Sequence, residues 1–271
     1  MRVIFTIVLY RNTINEISRL LDSINNLKEY QNIEIVLSIC DNSEISIDIN
    51  LLRDRIDKNF ELFFEKSENI GYGKGHNLAF KNAYKNKKIN KNDLLIVTNP
   101  DIYFQKNEFI KILNFLNQKK NEKIVCLAPL IKNEKGEIQY SAKKNPTIMS
   151  LLIGRIKILE KFYFFQKYIS NNQNRSLILT KILNCNFLSG CFLVVKPKIF
   201  KKINGFDKRY FLHFEDADIT RTLSKYGKCI HYPYATIIHK WNRGSHKSFK
   251  QTLMLIISML KYFLKWGISL F

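Results

Sequence analysis

Apolar residues occur along the first half of the chain in two alternating patterns. Five apolar runs have the length of buried strands: residues 2–9, 33–39, 61–64, 93–98 and 123–128. The segments between them carry apolar residues at helical spacing, most clearly after the capping-box pattern Thr13-x-x-Glu16. Further helices are predicted over about 76–84 and over 107–117. Strands that alternate with helices predict an α/β fold with a mostly parallel sheet.

The second half has a less regular pattern. The predicted elements are a hairpin over 129–141, a strand over 187–195, a short helix over 197–203, a helix from about Phe214 to Gly227, and a strand pair over 228–239. Residues 146–170 mix apolar, aromatic and basic side chains without a strand pattern, whereas residues 249–271 predict a basic amphipathic helix. We therefore expect one domain over 1–240 with an amphipathic tail over 241–271.

Composition indicates a folded protein with an anionic partner. The 271 residues are 46% hydrophobic and 13% aromatic, which excludes a disordered chain. With 44 basic and 23 acidic residues the net charge is +21, so the candidate partners are nucleic acid, anionic lipid and phosphorylated small molecules.

Cysteines and apolar segments indicate a cytosolic location. The five cysteines are odd in number and have no C-x-x-C spacing, which argues against a disulfide framework and a zinc site. The short apolar N-terminus lacks a cleavage site and predicts a first strand, not a signal peptide. No apolar stretch approaches the roughly 20 residues that a membrane-spanning helix needs.

Two carboxylates follow predicted strands at the edge where ligands bind in sheets of this kind. Asp41 follows the second strand; its carboxylate suits the N3–H of uracil or thymine, but Asp-Asn-Ser is also a common turn sequence. Asp101 ends the fourth strand in Asn99-Pro100-Asp101. A carboxylate there suits a hard divalent cation that holds a diphosphate, or it is incidental to an Asn-Pro turn.

A glycine-rich loop follows the third strand. Its glycines at 71, 73 and 75 are flanked by Asn69 and Asn77. Glycines before a helix let backbone N–H groups approach a phosphate or ribose, although the same spacing suits a flexible connection. The last glycine of the dinucleotide-binding fingerprint is absent.

The densest cluster of acidic residues is His213-Phe214-Glu215-Asp216-Ala217-Asp218. Three carboxylates within four residues repel one another, which raises a pKa and is typical of sites that transfer protons. The alternative is a capped, solvated helix start. His239 ends an apolar strand and is either structural or a metal ligand.

In this order, these motifs resemble glycosyltransferase family 2, and within it the rhamnosyltransferase-like branch, over residues 2 to about 240. The matching pieces are Asp41-Asn42-Ser43, Asn69-x-Gly71, Gly75-x-Asn77, Asn99-Pro100-Asp101, Ser189-Gly190, Gly205-Phe206-Asp207, Phe214-Glu215-Asp216-Ala217-Asp218, Pro233-x-Ala235 and His239. The resemblance implies a GT-A fold, a single Rossmann-like domain. Its nucleotide-sugar-binding half would be residues 1–128, and its acceptor and catalytic half 129–240.

The resemblance also implies roles. Asp216 would be the general base of an inverting transfer, and Asp101 and His239 would bind a divalent cation, Mg²⁺ or Mn²⁺. Asp41 would bind the pyrimidine base of a UDP- or dTDP-sugar. The other donor-site residues would be Tyr10, Asn69, Gly71, Gly75, Asn77 and Asn99. Two departures from the family pattern are Arg11, which separates Tyr10 from Asn12, and Asn99, where many members have Asp.

Two basic, aromatic segments predict a membrane surface as a partner. The tail and residues 146–168 intersperse lysines among apolar residues, as helices in the interface of an anionic membrane do. The expected acceptor is a lipid-linked saccharide in the synthesis of a cell-surface polysaccharide or lipopolysaccharide, with rhamnose as the sugar by resemblance. The enzyme would lie on the inner face of the cytoplasmic membrane. Alternatively, these helices pack on the sheet or on a second subunit as a homodimer.

Two rival functions remain at the level of sequence. Charge alone suggests a nucleic-acid-binding module, but the lysines are dispersed and no helix-turn-helix, RNP or zinc motif is present, so nucleic acid is not an expected partner. A relative that binds without catalysis is the other alternative, and the presence of Asp101, Asp216 and His239 argues against it.

Overall fold

A mixed β-sheet forms the centre of the computed structural model, which describes residues 1–30, 33–85, 87–240 and 249–271. The strands are β1 (Arg2–Leu9), β2 (Glu34–Asp41), β3 (Glu61–Lys66), β4 (Leu94–Thr98), β5 (Ile102–Tyr103), β6 (Ile124–Lys132), β7 (Ile138–Gln139), β8 (Ala142–Lys143), β9 (Leu183–Asn184), β10 (Phe187–Leu188), β11 (Phe192–Val195) and β12 (Lys228–His239).

Helices cover both faces of this sheet. They are α1 (Ile14–Asn25), α2 (Ile49–Arg55), α3 (Tyr72–Ala83), α4 (Lys106–Leu116), α5 (Ile148–Arg155), α6 (Tyr163–Asn172), α7 (Pro197–Lys202), α8 (Glu215–Leu223) and α9 (Phe249–Trp266). Short 3₁₀ turns lie at Lys119–Asn121 and Lys157–Lys161.

The first half of the sheet is parallel, in the order β3-β2-β1-β4. Its central strands are almost wholly buried and rich in Val, Ile and Leu, as strands covered on both faces are. The predicted capping box is present, because the N–H of Thr13 donates to the Glu16 carboxylate over 2.8 Å. Since parallel strands end at one edge, the residues after β1, β2 and β4 lie at the same end of the sheet.

The second half joins the first through an antiparallel strand. Strand β11 lies between β4 and β6, antiparallel to both, whereas β6 and β12 run parallel. The short β5 pairs antiparallel with the end of β12 and places Ile102 opposite His239. The end of β4 therefore lies close to both the start of β11 and the end of β12.

Two predicted strands differ in the structure. The strand expected over 187–195 is divided: β10 leaves to pair with β8, β11 joins the central sheet, and Ser189–Cys191 connect them. The strand pair expected over 228–239 is the single strand β12. Its register shifts between Tyr232 and Thr236, around Pro233, whose missing N–H cannot support a regular ladder.

Helix α3 begins at Tyr72, four residues before the predicted start at His76. Gly73 and Gly75 therefore lie inside the first turn and are buried. A Cβ on Gly75 would lie 2.7 Å from Cγ2 of Val8, and one on Gly73 would lie 2.8 Å from Cβ of Phe206. These two glycines allow α3 to approach β1 and the 205–207 turn closely.

The predicted tail helix packs on the domain along one face. The first part of the predicted tail, residues 241–248, lies outside the described residues, and α9 follows. Tyr262 and Phe263 are buried against Tyr210 and Phe214 of the body. The opposite face is exposed, with Leu260 53% and Leu264 86% accessible.

The helical segment after β8 also exposes apolar side chains. Phe162, Tyr163 and Phe164 are 58%, 77% and 63% accessible. This segment lies beside the tail, because the N–H groups of Ile148 and Met149 donate to the carbonyls of Ser269 and Leu270. Across the described residues, every helix is too short or too polar to cross a bilayer.

The packing of α3 gives a first prediction. We expect Gly75→Ala to lower the free energy of unfolding by about 1–3 kcal/mol, because the new methyl group meets Val8 in a closely packed core. Gly154→Ala in α5 is the matched control: it meets no atom within 4 Å and should be neutral or stabilising. Urea unfolding measures both, and a Gly75→Ala protein as stable as the wild type would contradict the packing.

Candidate active site

Asp41 organises the loop after β2. It is fully buried, and its two carboxylate oxygens accept hydrogen bonds from the N–H groups of Ser43, at 2.9 Å, and Ile47, at 3.0 Å. A carboxylate has about four lone-pair positions, so these two bonds leave capacity for a further donor. In the structure the carboxylate fixes the 42–47 loop.

Tyr10 and Arg11 lie over this loop at the end of β1. Tyr10 is 45% exposed, and the guanidinium of Arg11 lies 5.2 Å from the centre of its ring. The N–H of Arg11 donates to the hydroxyl of Ser43, and its side chain pairs with Glu44 at 2.9 Å. An exposed aromatic ring beside a cation provides a flat surface on which a planar base can stack.

The glycine-loop residues connect α3 to the segment before α8. The amide of Asn77 makes two hydrogen bonds of 2.8 Å to the backbone N–H and carbonyl of Phe206. Gly71 has a φ of +89°, and a Cβ there would overlap the carbonyl oxygen of Phe211. Asn69 accepts from the N–H of Gly71 at 3.3 Å. The structure thus gives Asn77, Gly71 and Gly75 a packing role of their own.

A carboxylate and an imidazole meet at the ends of β4 and β12. An oxygen of Asp101 lies 3.2 Å from Nε2 of His239, and the amide nitrogen of Asn99 lies 3.3 Å from the same atom. Neighbouring ligands of an octahedral Mg²⁺ are about 3 Å apart, because each lies about 2.1 Å from the ion. The pair therefore fits one divalent cation. No third His, Cys, Asp or Glu joins it in the described part of the chain, so phosphate and water would complete the coordination.

Gln139 on β7 orients His239. Its Oε1 lies 2.8 Å from Nδ1 of His239, and its Nε2 donates to the His239 carbonyl over 3.3 Å. A carboxamide oxygen only accepts, so Nδ1 carries a proton and Nε2 is the nitrogen presented to Asp101. Partners of this kind fix the ring orientation of metal-binding histidines.

His239 is held as an imidazolium when no cation is bound. Burial lowers its pKa, but the hydrogen bonds to Asp101 and Cys191 and the charge of Asp101 outweigh burial and raise the pKa to about 10. The proton on Nε2 lies where a cation would bind, and a metal-bound histidine is neutral. Cation binding at this position would therefore displace a proton.

The Ser189–Cys191 segment lies between this pair and Asp216. The N–H of Gly190 donates to the Asp216 carboxylate over 3.2 Å, and the carbonyl of Gly190 accepts from the hydroxyl of Tyr72 at 2.7 Å. One residue later, the carbonyl of Cys191 accepts from the N–H of Asn99 at 2.9 Å. Burial raises the pKa of the Tyr72 phenol, and the charges of Asp216 and Asp101 add to it, so both carboxylates lie within electrostatic reach of one ring.

Glu215 and Asp216 are neighbouring carboxyl groups that together carry one proton and one negative charge at neutral pH. Burial, with the neighbouring Asp216 charge, raises the pKa of Glu215 to about 8. Burial also raises the pKa of Asp216, but the backbone N–H groups of Gly190 and Ala217 and the cation of Lys143 favour its charged form. At neutral pH we therefore assign the proton to Glu215 and the negative charge to Asp216, the arrangement that a general base needs.

The third carboxylate of the cluster anchors the tail. Asp218 is 2% exposed and accepts from Nζ of Lys265 at 2.8 Å and from Nε1 of Trp266 at 2.7 Å. Lys265 also pairs with Asp207 at 2.9 Å. The crowded carboxylates predicted from the sequence thus have separate surroundings.

Asp216 lines a cleft of about 400 Å³ between α5, α6, α8 and α9. Its walls include the basic residues Lys143, Lys144 and Arg175 and the apolar Leu151 and Leu255. A cleft of this volume admits one or two sugar-sized groups.

The structure adds residues that the sequence did not single out. Tyr72 and Gln139 contact the segments that hold Asp216 and His239, and Lys143 lines the cleft beside Asp216. The tyrosine inside the glycine-rich loop was a usable signal. Gln139 gave none, because its contact with His239 depends on a hairpin that pairs a two-residue strand with β6.

The chain is similar in sequence to known rhamnosyltransferases. No family model matches the chain. It is 25% identical over 185 residues to the rhamnosyltransferase WbbL of Escherichia coli strain K12. The matched region covers 66% of this chain and 65% of the relative. It is 27% identical over 148 residues to the N-acetylglucosaminyl-diphospho-decaprenol L-rhamnosyltransferase of Mycobacterium tuberculosis. Here the matched region covers 54% of this chain and 47% of the relative. The chain thus spans less than two thirds of these relatives.

Solved structures share the fold at low sequence identity. GalNAc-T7 with UDP, GalNAc and Mn²⁺ matches 98% of this chain and 48% of its own at a TM-score of 0.61 and 15% identity. The mannosyltransferase PcManGT of Pyrobaculum calidifontis with GDP-Man and Mn²⁺ matches 98% of this chain and 65% of its own, at a TM-score of 0.58 and 14% identity. S. aureus TarS 1-349 with UDP matches 88% of this chain and 60% of its own, at a TM-score of 0.55 and 16% identity. This likeness establishes the fold.

The buried Glu215 makes stability depend on pH. Its pKa of about 8 in the folded protein lies above the value of about 4.3 in an unfolded chain, so its contribution is complete below about pH 4.3 and is lost as the pH rises through 8. Urea unfolding of the wild type should therefore show a fall in stability between about pH 5 and pH 8.5 that Glu215→Gln reduces. The exposed Glu68→Gln is the control and should keep the wild-type slope. An unchanged slope in Glu215→Gln would contradict a protonated Glu215.

Proposed function

Because the chain belongs to glycosyltransferase family 2, in its rhamnosyltransferase-like branch with the GT-A fold, we propose that it transfers a sugar from a pyrimidine nucleoside diphosphate sugar to a saccharide acceptor with inversion. The observation that carries the proposal is the position of Asp101 and His239 on one side of the Ser189–Cys191 segment and of Asp216 on the other. A cation-held leaving group and a general base on opposite sides of a sugar are what direct displacement needs.

The donor lies at the end of the parallel strands. Its base stacks near Tyr10 and the Asp41 loop, where the free lone pairs of Asp41 suit the N3–H that uracil and thymine both present. Its diphosphate reaches Asp101 and His239. A divalent cation there, Mg²⁺ or Mn²⁺, would neutralise the charge that develops on the departing nucleoside diphosphate. Two of the structural neighbours were determined with Mn²⁺, and three with UDP or GDP-Man, which supports this arrangement.

Asp216 acts as the general base. As an acceptor hydroxyl oxygen forms its bond to the anomeric carbon, the bond from that carbon to the nucleoside diphosphate breaks, and the hydroxyl proton moves to the Asp216 carboxylate. The Gly190 N–H holds one oxygen of this carboxylate, and Glu215 keeps its own proton, so Asp216 alone supplies the negative charge. A positioned base of this kind contributes about 10²–10⁴-fold to the rate.

The acceptor is a saccharide linked to lipid, and rhamnose is the sugar that relatives suggest. The mycobacterial relative is named as an L-rhamnosyltransferase that acts on an N-acetylglucosaminyl-diphospho-decaprenol, and the E. coli relative is also a rhamnosyltransferase. The cleft beside Asp216 combines basic and apolar walls, which suits such an acceptor. Synthesis of a cell-surface polysaccharide or lipopolysaccharide is the process that uses this chemistry.

A membrane surface would present that acceptor. The exposed apolar face of α9 and the exposed Phe162, Tyr163 and Phe164 flank the helices that line the cleft, and lysines accompany them on a chain of charge +21. Amphipathic basic surfaces of this kind lie in the interface of an anionic bilayer. We place the protein on the inner face of the cytoplasmic membrane. The same face could instead pair two copies of the chain, and sedimentation with anionic vesicles separates the alternatives.

Metal-dependent nucleotide binding tests the donor site. UDP or dTDP with Mn²⁺ should raise the melting temperature more than either component alone, since at 100 times the dissociation constant a ligand stabilises the folded state by about 2.7 kcal/mol. Asp101→Ala should abolish the dependence on Mn²⁺.

Gln139→Leu should weaken Mn²⁺ binding by about 10–100-fold, because His239 loses the partner that orients its ring.

A surface carboxylate provides the control for this titration. Asp22→Ala removes an exposed charge from α1, a helix that contains none of the proposed metal-binding or nucleotide-binding residues, and should bind Mn²⁺ and nucleotide as the wild type does. A cooperative shift that survives in Asp101→Ala, or the absence of any shift together with salt-sensitive binding of RNA, would overturn the proposed donor site.

A further inference from the structure

We propose that the cleft beside Asp216 contains an anion subsite, formed by Lys143, Lys144 and Arg175, that binds the phosphate through which the acceptor sugar is attached to an apolar chain. Lys143, Lys144 and Arg175 line the cleft together with Asp216. The inference rests on the proposed glycosyl transfer and specifies which side chains recognise the acceptor.

Lys143 is the central residue of this subsite. It lies on β8 opposite Phe187, and its ammonium group is 5.2 Å from the centre of the Phe187 ring. Burial lowers its pKa, and the nearby Asp216 charge only partly offsets this. Within the described residues no carboxylate forms an ion pair with it. A half-buried cation that has no ion-pair partner among the described residues is unfavourable, so an anionic ligand at this position would stabilise it.

Arg175 and Lys144 extend the positive wall. The guanidinium of Arg175 is held in place, because its Nε donates to Oε1 of Gln173 over 2.8 Å and its Cζ lies 4.8 Å from the centre of the Tyr140 ring. These contacts leave the terminal nitrogens for a ligand, and the planar guanidinium matches two oxygens of a phosphate. The Lys144 N–H donates to the carbonyl of Asn172 at 2.8 Å, which fixes the backbone of this wall.

The form of the cleft favours a phosphate with an apolar substituent. Leu151, Leu255 and Ile169 line it together with the cations, so charged and apolar parts of one ligand would each meet a matching wall. A second cleft of about 660 Å³ shares Lys143, Lys144 and Asn172 with it and is otherwise rich in carboxamides. The lysines thus lie where the two clefts meet. A cleft in which cations lie beside apolar side chains differs from the basic stripe that tracks a nucleic-acid backbone.

Lys143 has one competing role, which is to tune Asp216. Its charge favours the carboxylate form of Asp216, and a residue that only did this would affect every acceptor equally. A phosphate subsite, by contrast, distinguishes acceptors that carry the phosphate from those that do not. The experiment therefore compares ligands as well as variants.

Calorimetric titration of the full chain tests the subsite directly. Octyl diphosphate, inorganic pyrophosphate and octyl glucoside are titrated in the presence of EDTA, which prevents metal-dependent binding at the donor site. Octyl diphosphate should bind most tightly. Lys143→Gln and Arg175→Gln should each weaken it by about tenfold or more, since each removes a charge-assisted hydrogen bond, whereas Lys143→Arg should retain most of the affinity. Lys135→Gln, which removes an exposed charge from the β6–β7 turn, is the matched control.

The outcomes separate this inference from the proposed function. Unchanged affinity in both Lys143→Gln and Arg175→Gln would overturn the subsite, and so would pyrophosphate that binds as tightly as octyl diphosphate. In transfer assays, Lys143→Gln should lower kcat/KM for a phosphate-linked saccharide more strongly than for the same free saccharide, whose loss reports only the effect of the Lys143 charge on Asp216. An equal loss with both acceptors and a shifted pH profile would assign Lys143 to Asp216 instead. Failure of the proposed function would appear as no metal-dependent nucleotide binding in the wild type. Melting temperatures of the variants establish that each is folded.

Discussion

The backbone of Gly190 joins the two halves of the candidate active site. Its N–H holds the Asp216 carboxylate, its carbonyl receives the Tyr72 hydroxyl from α3, and the next carbonyl receives the N–H of Asn99 at the end of β4. A Cβ on residue 190 would lie 3.1 Å from Cβ of Asp216, so only glycine leaves the present spacing undisturbed. The interruption of the sheet between β10 and β11 brings a backbone donor to the proposed base.

Burial then separates the functions of the acidic residues around α8. Asp218 and Asp207 are neutralised by Lys265 of the tail, and the hydrogen bond with Arg209, with further bonds to Lys265, holds the pKa of Asp207 well below its usual range. Glu215 has no hydrogen-bond partner for one buried oxygen within the described residues and keeps its proton. Asp216 receives the backbone donors. The tail helix is therefore connected electrostatically to the helix that carries the proposed base, whether or not its exposed face also meets a membrane.

Much of the fold could be predicted from the sequence, because the parallel half depends on local patterns. The strands from β1 to β4, the capping box of α1 and the positions of Asp41, Asn99 and Asp101 at strand ends follow from apolar runs and turn residues. The errors lie where tertiary contacts override such patterns. Glycines 73 and 75 favour a loop by propensity, but packing against Phe206 and Val8 places them in a helix. The run from 187 to 195 favours one strand, but β10 pairs with β8 while β11 joins the central sheet, so the run is divided.

The roles of site residues were less predictable than their identities. Asn77 stood out as a motif residue, but whether its amide binds a ligand or the Phe206 backbone depends on a contact 129 residues away in sequence. Gln139 and Lys143 lie on two-residue strands that no pattern specifies. The three carboxylates of the α8 cluster look equivalent in sequence, and only their partners in the folded chain distinguish a base from an anchor.

Sugar transfer by Asp216→Asn tests whether Asp216 is the general base. The assay follows transfer of a radiolabelled sugar from dTDP-rhamnose or a UDP-sugar to a lipid-linked saccharide. The wild type and this variant are compared at matched occupancy of nucleotide and Mn²⁺. We expect Asp216→Asn to bind the donor as the wild type does. Its transfer rate should fall by about 10²–10⁴-fold, because no carboxylate then takes up the proton of the acceptor hydroxyl. A variant that transfers sugar at the wild-type rate would contradict the assignment of Asp216 and with it the proposed geometry of the site.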